Sequence, residues 1–297
     1  MTVVAPEPSA RVADAAPLLE VRNLVIQYSK KAAPAVDDVS FTIARGETVG
    51  LVGESGSGKT TIGKAILGLQ AVTSGQILFE GQDITHASPA QRRALHGDLR
   101  AVFQDPYSSL NPRRTVGDAI AEPLRVAGVA AGERDRRVED VLEAVGLPRD
   151  AGNRLPRQFS GGQRQRVAIA RALVTDPRLV VCDEAVSALD QTTRAAVLRL
   201  FARLSAGADL GYLFIAHDMP VVEFLAQRVI VLYRGKIMEE GPATQVINEP
   251  KNPYTKVLMA ASPVHDPDEQ ARRRAAWREM RSDWKAETGT IGAVRNT

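Results

Sequence analysis

The sequence contains a single cysteine, Cys182, and few aromatic residues, which make up 5% of the chain. One cysteine excludes a disulfide within the chain and any metal or iron–sulfur site built from four cysteines of one chain. No apolar run approaches the roughly 20 residues that a membrane-spanning helix requires. The formal net charge is only +3, and the basic residues form no stripe with interleaved aromatics, so nucleic-acid binding is not indicated.

The rest of the composition is that of a soluble globular protein. The chain has 297 residues, 44% hydrophobic and 25% charged, enough for one large or two small domains. Residues 1–17 are rich in Ala and Pro and carry acids, so we expect a disordered leader rather than a secretory signal. We expect residues 18–262 to form the folded domain and residues 263–297 a charged C-terminal extension, either a solvated helix or disordered.

Hydrophobic patterning predicts an α/β protein. The segments LEVRNLVIQY, DDVSFTIARGE and QILFEGQDI alternate as antiparallel strands do, which indicates an N-terminal antiparallel β subdomain. TVGLVG, RLVVCDE and YLFIAHD are near-continuous apolar runs, typical of parallel strands covered on both faces. Between about residues 105 and 159 only helical spacing is found, which predicts a helical insertion. After Asp218 we expect a helix, PVVEFLAQR, then a hairpin that turns at Arg234 and Gly235, and then a tail.

A glycine-rich motif follows the first buried strand. The segment GESGSGKT satisfies G-x-x-x-x-G-K-S/T between a predicted strand and a predicted helix. Its residues are Gly53, Glu54, Ser55, Gly56, Ser57, Gly58, Lys59 and Thr60. Backbone N–H groups of such a loop point at phosphate oxygens, Lys59 reaches the β- and γ-phosphates, and the Thr60 hydroxyl is a ligand for Mg²⁺, with Thr61 beside it. The motif predicts a P-loop NTPase core with a mixed, mainly parallel sheet; the alternative is a glycine-rich turn with a surface lysine.

Two adjacent carboxylates end the strand RLVVCDE. We expect Asp183 to hold Mg²⁺ through water, and Glu184 to polarise the attacking water. Because successive strand side chains point to opposite sides, the two acids need not compete for one ion. The alternative is an acidic strand end that caps the next helix. Within the same strand, Cys182 is expected to be a small buried hydrophobe rather than a reactive thiol.

The segment SGGQ matches a capping box at the start of the helix RQRVAIARAL. Its residues are Ser160, Gly161, Gly162 and Gln163. Two glycines after the cap leave helix N–H groups bare, and such groups bind phosphate. FSGGQRQR, about a hundred residues after the P-loop, resembles the signature segment of ABC ATPases. The resemblance implies that two ATPase domains pair head to tail and that each signature covers the γ-phosphate held by the other.

Other motifs of the ABC family follow in order, and the resemblance spans roughly residues 18–262. Tyr28 resembles the aromatic residue that stacks on adenine, although it could also be a surface strand tyrosine. Gln104 in AVFQD resembles the glutamine that senses Mg²⁺ and joins the core to the helical insertion. Asp190 ends SALD, which resembles the loop that crosses the dimer interface. His217 in FIAHD resembles the switch histidine that contacts the γ-phosphate and orients the catalytic water; an isolated strand-end histidine would be structural.

Three further segments are similar to the ATPases of bacterial peptide importers: QDPYSSLNPRRTVGDAI, CDEAVSALD and NEPKNPYTKVLMAASP. They resemble the second of two unlike ATPases that power oligopeptide or dipeptide uptake. The resemblance implies ATP and Mg²⁺ as cofactors, a second ABC ATPase subunit, two transmembrane permease subunits and, through them, a solute-binding protein. It also implies a peripheral location at the cytoplasmic face of the inner membrane. Some relatives bind an iron–sulfur cluster through cysteines near the C-terminus; this chain lacks them, so we expect no cluster.

Alternative functions share the core motifs. Importers for nickel, glutathione or sugars, and exporters, would carry the same P-loop and signature. ABC-type ATPases of chromosomes or repair place a long coiled coil between these motifs, whereas about a hundred residues without sustained heptads lie between them here. Ribosome-acting ABC proteins usually hold two ATPase units in one chain, and this sequence has one.

Overall fold

The computed structural model describes residues 16–29, 31–104, 110–206 and 209–261. Apart from its last two residues, the predicted leader lies outside these ranges, as does the predicted charged extension. Within the described ranges, no helix combines the length and the apolar character that a bilayer crossing would need.

The described residues form ten strands and nine α-helices. The strands are β1 (Leu19–Ile26), β2 (Val36–Ile43), β3 (Thr48–Val52), β4 (Ser74–Phe79), β5 (Gln82–Asp83), β6 (Leu99–Phe103), β7 (Leu179–Asp183), β8 (Gly211–Ala216), β9 (Arg228–Tyr233) and β10 (Lys236–Pro242). The helices are α1 (Lys59–Ile66), α2 (Pro89–Ala94), α3 (Val116–Val126), α4 (Ala131–Ala144), α5 (Gly161–Leu173), α6 (Gln191–Ser205), α7 (Met219–Leu225), α8 (Ala243–Asn248) and α9 (Pro253–Ala261).

Two sheets organise the chain. The first has the order β2-β1-β4-β5 and is antiparallel throughout. The second has the order β10-β9-β3-β8-β7-β6, in which only the β9–β10 pair is antiparallel. The predicted fold class is therefore confirmed: a mixed, mainly parallel sheet accompanied by an N-terminal antiparallel sheet.

Close backbone contacts hold helices on both faces of the larger sheet. Gly63 of α1 lies against Ile215 of β8, where an added Cβ would approach the Ile215 Cδ1 atom to 2.6 Å. On the opposite face, Gly50 of β3 lies against Val222 of α7. Every residue of β3 and β8 is buried as a result, which is why these strands read as continuous apolar runs.

The register of the parallel strands brings their carboxyl ends to one edge. Val52 of β3 pairs with Ala216 of β8, and Asp183 of β7 pairs with both Ile215 of β8 and Phe103 of β6. The loops that follow these four strands therefore begin side by side. Ligands of open α/β sheets bind at this edge.

The helical insertion and the C-terminal part differ in how well the sequence predicted them. Among the described residues between β6 and α5, two α-helices, α3 and α4, and short 3₁₀ segments occur, and no strand does. The hairpin turns at Arg234 and Gly235, with φ of 46° and 81°, as predicted. Helix α7 ends at Leu225, earlier than the segment PVVEFLAQR suggested. Helices α8 and α9 follow the hairpin where only a tail was expected.

Candidate nucleotide-binding site

The loop between β3 and α1 is in close contact with two other backbone segments. Gly53 has φ of 151°, and an added Cβ would lie 2.1 Å from the carbonyl oxygen of Leu232. Gly58 has φ of 106°, and its added Cβ would lie 2.4 Å from the carbonyl oxygen of Ala35. Both positions combine a left-handed backbone with a close approach, so only glycine fits them. The wrapped loop that the motif predicts is thus held from two sides.

Lys59 folds back over this loop. Its side chain is buried, and Nζ donates hydrogen bonds to the carbonyl oxygens of Gly53 at 2.8 Å and Glu54 at 2.7 Å. Burial lowers the pKa of Lys59, while the nearby charges of Glu184 and Asp183 act in the opposite direction. The ammonium group is therefore pre-positioned at the loop, beside the two carboxylates that the sequence singled out.

Thr60 and Asp183 bring the P-loop and the second motif together. The Thr60 Oγ1 donates a hydrogen bond of 3.0 Å to Oδ1 of Asp183, across 123 residues of sequence. Burial raises the pKa of Asp183, and the hydrogen bond from Thr60 partly offsets that rise. A hydroxyl and a carboxylate are hard oxygen ligands that suit Mg²⁺.

The small number of protein ligands also fits Mg²⁺. Within the described ranges, no group of three or more His, Cys, Asp or Glu side chains could enclose a metal ion. Mg²⁺ in nucleotide sites is held by one or two protein oxygens together with phosphates and water. The Thr60–Asp183 pair therefore matches an ion that arrives with a nucleotide.

Glu184 has a backbone conformation that the sequence did not predict. It lies beyond the end of β7 and has φ of 50°, in the left-handed region. The strand alternation that we expected for Asp183 and Glu184 does not apply, because β7 ends at Asp183 and Glu184 adopts a left-handed backbone. The Glu184 N–H donates to the carbonyl oxygen of Ile215 at 2.9 Å, which fixes the turn against β8.

His217 lies next to Glu184. It follows the last residue of β8, its side chain is about half exposed, and its Nδ1 is 3.3 Å from Oε1 of Glu184. The structure thus brings together five predicted residues at one edge of the sheet: Lys59 and Thr60 at the start of α1, Asp183 and Glu184 at the end of β7, and His217 after β8. A carboxylate and an imidazole in contact here could together orient a water molecule.

Two further predicted residues flank this group. Tyr28 follows β1, is 63% exposed, and its hydroxyl is 3.0 Å from Oγ1 of Thr61. Its ring is therefore tied to α1 and open to solvent, as a stacking platform must be. Gln104 is exposed and directly follows β6, whose last residue pairs with Asp183.

The segment SGGQ forms the predicted capping box. The Ser160 N–H donates to Oε1 of Gln163 at 2.9 Å, and the Gln163 N–H donates to Oγ of Ser160 at 3.3 Å. Gly162 also has a role in helix packing. It is buried, and an added Cβ would lie 2.1 Å from Cγ2 of Thr193. Its lack of a side chain permits α5 to pack against the start of α6.

Asp190 caps helix α6. Its Oδ1 accepts a hydrogen bond of 3.1 Å from the Thr193 N–H. Hydrogen bonds from Thr193 lower the pKa of Asp190. The SALD loop and the SGGQ segment therefore meet at Thr193 within one chain.

Sequence reasoning missed two residues at this site. Arg194 donates from Nη1 to Oδ2 of Asp218 at 3.1 Å and from Nη2 to the carbonyl oxygens of Ser187 and Leu189, both at 3.3 Å. Tyr254, in α9, accepts a hydrogen bond of 3.3 Å from the N–H of Glu54. Arg194 belongs to no motif that the sequence analysis identified. Tyr254 lies in the segment NEPKNPYTKVLMAASP, but no spacing in that segment predicts a contact with the P-loop.

Cys182 is fully buried in β7, as predicted. Burial raises the pKa of its thiol well above the ordinary value. A buried thiol that stays protonated is a poor nucleophile.

Two family models match the chain. The model described as "ABC transporter" matches residues 36–187. The model described as "Oligopeptide/dipeptide transporter, C-terminal region" matches residues 238–289. Between them they cover the P-loop, the SGGQ segment, both carboxylates and helix α9.

Curated proteins with similar sequences are also named as parts of transporters. The chain is 47% identical over 273 residues to the "Glutathione import ATP-binding protein GsiA" of Escherichia coli strain K12 and to the protein of that name from Shigella dysenteriae serotype 1. Each match covers 89% of this chain and 44% of the relative. The chain therefore spans less than half the length of these relatives.

Solved structures have the same fold. A chain from the ABC transporter complex cbiONQ of Clostridium perfringens superposes with a TM-score of 0.72 at 26% identity, covering 78% of this chain and 91% of that one. A dimeric ATP-binding cassette in a post-hydrolysis state, bound to ADP and Pi, superposes with a TM-score of 0.67 at 27% identity, covering 76% and 98%.

Proposed function

This chain belongs to the ABC transporter family, and on that premise we propose that it binds and hydrolyses ATP to energise a membrane importer, for oligopeptides or dipeptides. The observation that carries the proposal is the hydrogen bond of 3.0 Å between Thr60 and Asp183, which joins the phosphate loop to the carboxylate pair. The match of residues 238–289 to an oligopeptide/dipeptide transporter region supports the importer class.

Each side chain at the site has a proposed role in hydrolysis. Lys59 neutralises the β- and γ-phosphates, and Thr60 with Asp183 would hold the Mg²⁺ that accompanies ATP. When bound, this ion supplies positive charge that balances the negative charge developing on the phosphates. Glu184 polarises the attacking water, and His217, 3.3 Å from the Glu184 carboxylate, orients it.

Gln104 and Tyr28 have proposed roles in sensing and holding the nucleotide. Gln104 senses the metal and links the core to the helical insertion, and Tyr28 stacks on the adenine ring. Both roles rest on the family resemblance and on the exposed positions of the two side chains.

The transporter assembly is a further part of the proposal. The Ser160–Gln163 segment and Asp190 face a second ABC ATPase subunit in a head-to-tail dimer, and each signature covers the γ-phosphate that the partner holds. Two permease subunits and a solute-binding protein complete the importer, with this subunit peripheral at the cytoplasmic membrane face. The relatives are named as glutathione import proteins, which adds glutathione, itself a small peptide, as a candidate cargo.

The substitution Glu184→Gln tests the hydrolytic proposal. We expect ATP binding to persist, the turnover rate to fall by roughly 100-fold or more, and an ATP-dependent dimer to accumulate with the partner ATPase. Glu139→Gln, on the exposed side of α4, is the matched control and should behave as the unaltered protein. Unchanged turnover in Glu184→Gln would remove this residue from its role.

Co-purification from native membranes tests the importer proposal. The full chain, tagged and extracted in mild detergent, should recover two permease chains and a second ATPase. Recovery of ribosomes or DNA instead would contradict transport, and recovery of a permease without any solute-binding partner would favour an exporter.

A further inference from the structure

Helix α9 places a tyrosine hydroxyl against the phosphate-binding loop. Tyr254 is buried, and its hydroxyl accepts a hydrogen bond of 3.3 Å from the N–H of Glu54, 200 residues earlier in the chain. Glu54 is the second residue of the loop. The C-terminal region matched by the oligopeptide/dipeptide model, residues 238–289, thus contacts the nucleotide site directly.

The peptide group that Tyr254 contacts is also the one that holds Lys59. The N–H of Glu54 and the carbonyl of Gly53 belong to the same peptide unit. Its N–H donates to Tyr254 at 3.3 Å, and its carbonyl oxygen accepts from Lys59 Nζ at 2.8 Å. Hydrogen bonds at both ends of one peptide unit strengthen each other. The orientation of this plane therefore links the tyrosine hydroxyl to the lysine ammonium.

Tyr254 is itself firmly placed. Its ring lies on the ring of Tyr233, at the end of β9, with centroids 4.3 Å apart. The Tyr254 N–H donates to Oδ1 of Asn252 at 2.8 Å, and Nδ2 of Asn252 donates to the carbonyl oxygen of Met238 at 3.0 Å. Glu239 of β10 accepts from the N–H of Asn252 at 3.0 Å. The hydroxyl is therefore fixed relative to the sheet, and burial raises its pKa, so it stays protonated.

We propose that Tyr254 is a positioning residue for the phosphate-binding loop: by holding the Gly53–Glu54 peptide, it sets the position from which Lys59 receives the β- and γ-phosphates of ATP. This inference rests on the proposed ATP binding and extends it to the C-terminal region. Helix α9 is then part of the nucleotide site, and a movement of α9 away from the loop would loosen the lysine.

The test is the substitution Tyr254→Phe in the full chain, which keeps the ring contact with Tyr233 and removes the hydroxyl. Affinities for ATP and for AMP, which lacks the β- and γ-phosphates, are measured by displacement of a fluorescent ATP analogue. We expect ATP to bind about fivefold more weakly, the effect of one neutral hydrogen bond, while the affinity for AMP stays within twofold.

The matched control is Tyr212→Phe. Tyr212 lies buried in β8, and its hydroxyl has no hydrogen-bond partner among the described residues. Both variants lose one buried hydroxyl, but only Tyr254 touches the loop. Tyr212→Phe should leave the ATP-to-AMP ratio of affinities unchanged.

Amide hydrogen exchange gives a second readout that does not depend on nucleotide binding. In Tyr254→Phe the Glu54 amide should exchange faster, while amides of β3 and β8 keep their protection. An unchanged ratio of ATP to AMP affinity, or an equal loss for both nucleotides, would overturn this inference. An unaltered protein that binds no ATP would instead overturn the proposed function, and unchanged exchange at Glu54 would then overturn the inference as well.

Discussion

Thr60 and Asp183 are joined by a hydrogen bond of 3.0 Å, although 123 residues separate them in sequence. The contact places a hydroxyl and a carboxylate at the carboxyl edge of the sheet, beside Lys59 and Glu184. Burial disfavours the charged form of Asp183 and raises its pKa, so the ionised carboxylate destabilises the folded protein.

Asp183→Asn should therefore stabilise the nucleotide-free protein at neutral pH and weaken nucleotide binding. The amide cannot carry the charge that burial disfavours, so the midpoint of thermal unfolding at pH 7 should rise. It is also a poorer ligand for Mg²⁺, so magnesium-dependent ATP affinity should fall roughly 10- to 100-fold. Calorimetry without nucleotide measures the midpoint of thermal unfolding, and calorimetry with Mg²⁺-ATP measures the affinity for the nucleotide. Asp135→Asn, on an exposed position of α4, should change neither quantity.

The pH dependence of stability should also show the effect of burial on Asp183. The ordinary pKa of this carboxyl group is 3.8, and burial raises the pKa in the folded state. Between these two pKa values the folded protein binds more protons than the unfolded protein does. The contribution of this carboxyl group to stability is then lost as the pH rises through the window between 3.8 and the raised value. The difference in unfolding free energy between Asp183→Asn and the unaltered protein should grow across this window and level off above it. A difference that shrinks with rising pH would contradict the assignment.

Gly162→Ala should destabilise the protein by about 1–3 kcal/mol, because the added Cβ overpacks the contact between α5 and α6. The Cβ would meet Cγ2 of Thr193 at 2.1 Å, so Thr193→Ser, which removes that methyl group, should recover most of the loss in the double variant. Urea unfolding measures the change in the free energy of unfolding for Gly162→Ala, for Thr193→Ser and for the double variant. Gly132→Ala in α4, where an added Cβ meets nothing within 4 Å, is the control and should not destabilise. Additive effects of the two substitutions would show that the contact is unimportant.

Arg194→Met should lower turnover with little effect on ATP affinity. Arg194 ties Asp218, the neighbour of His217, to the backbone of the SALD loop through hydrogen bonds of 3.1 and 3.3 Å. Releasing it displaces His217 without touching the phosphate loop, and such misplacement costs roughly 10- to 100-fold in rate. Steady-state hydrolysis and equilibrium binding separate the two effects. Arg199→Met, exposed on the same helix, should match the unaltered protein, and an equal loss of affinity in Arg194→Met would argue against this role.

Motifs that are contiguous in sequence could be predicted well. The P-loop, the capping box of Ser160 and the turn at Arg234 and Gly235 depend on residues a few positions apart, and the structure has them as expected. The parallel strands were recognisable because burial on both faces makes them uniformly apolar.

What could not be predicted depends on contacts between distant segments. The left-handed backbone of Glu184 is fixed by a hydrogen bond to β8, and Gly162 is required by Thr193 of another helix. Tyr254 and Glu54 meet across 200 residues. No local periodicity encodes such contacts, so helix α9 was taken for a tail and its tyrosine was missed.

The central claim is that a nucleotide binds at the loop from which Lys59 projects, and isothermal titration of Mg²⁺-ATP tests it most directly. The unaltered chain should bind one ATP per subunit, Lys59→Met should bind about a hundredfold more weakly, and Lys256→Met, exposed on α9, should bind as the unaltered chain does. Equal affinity in Lys59→Met, or no binding by the unaltered chain, would contradict the account.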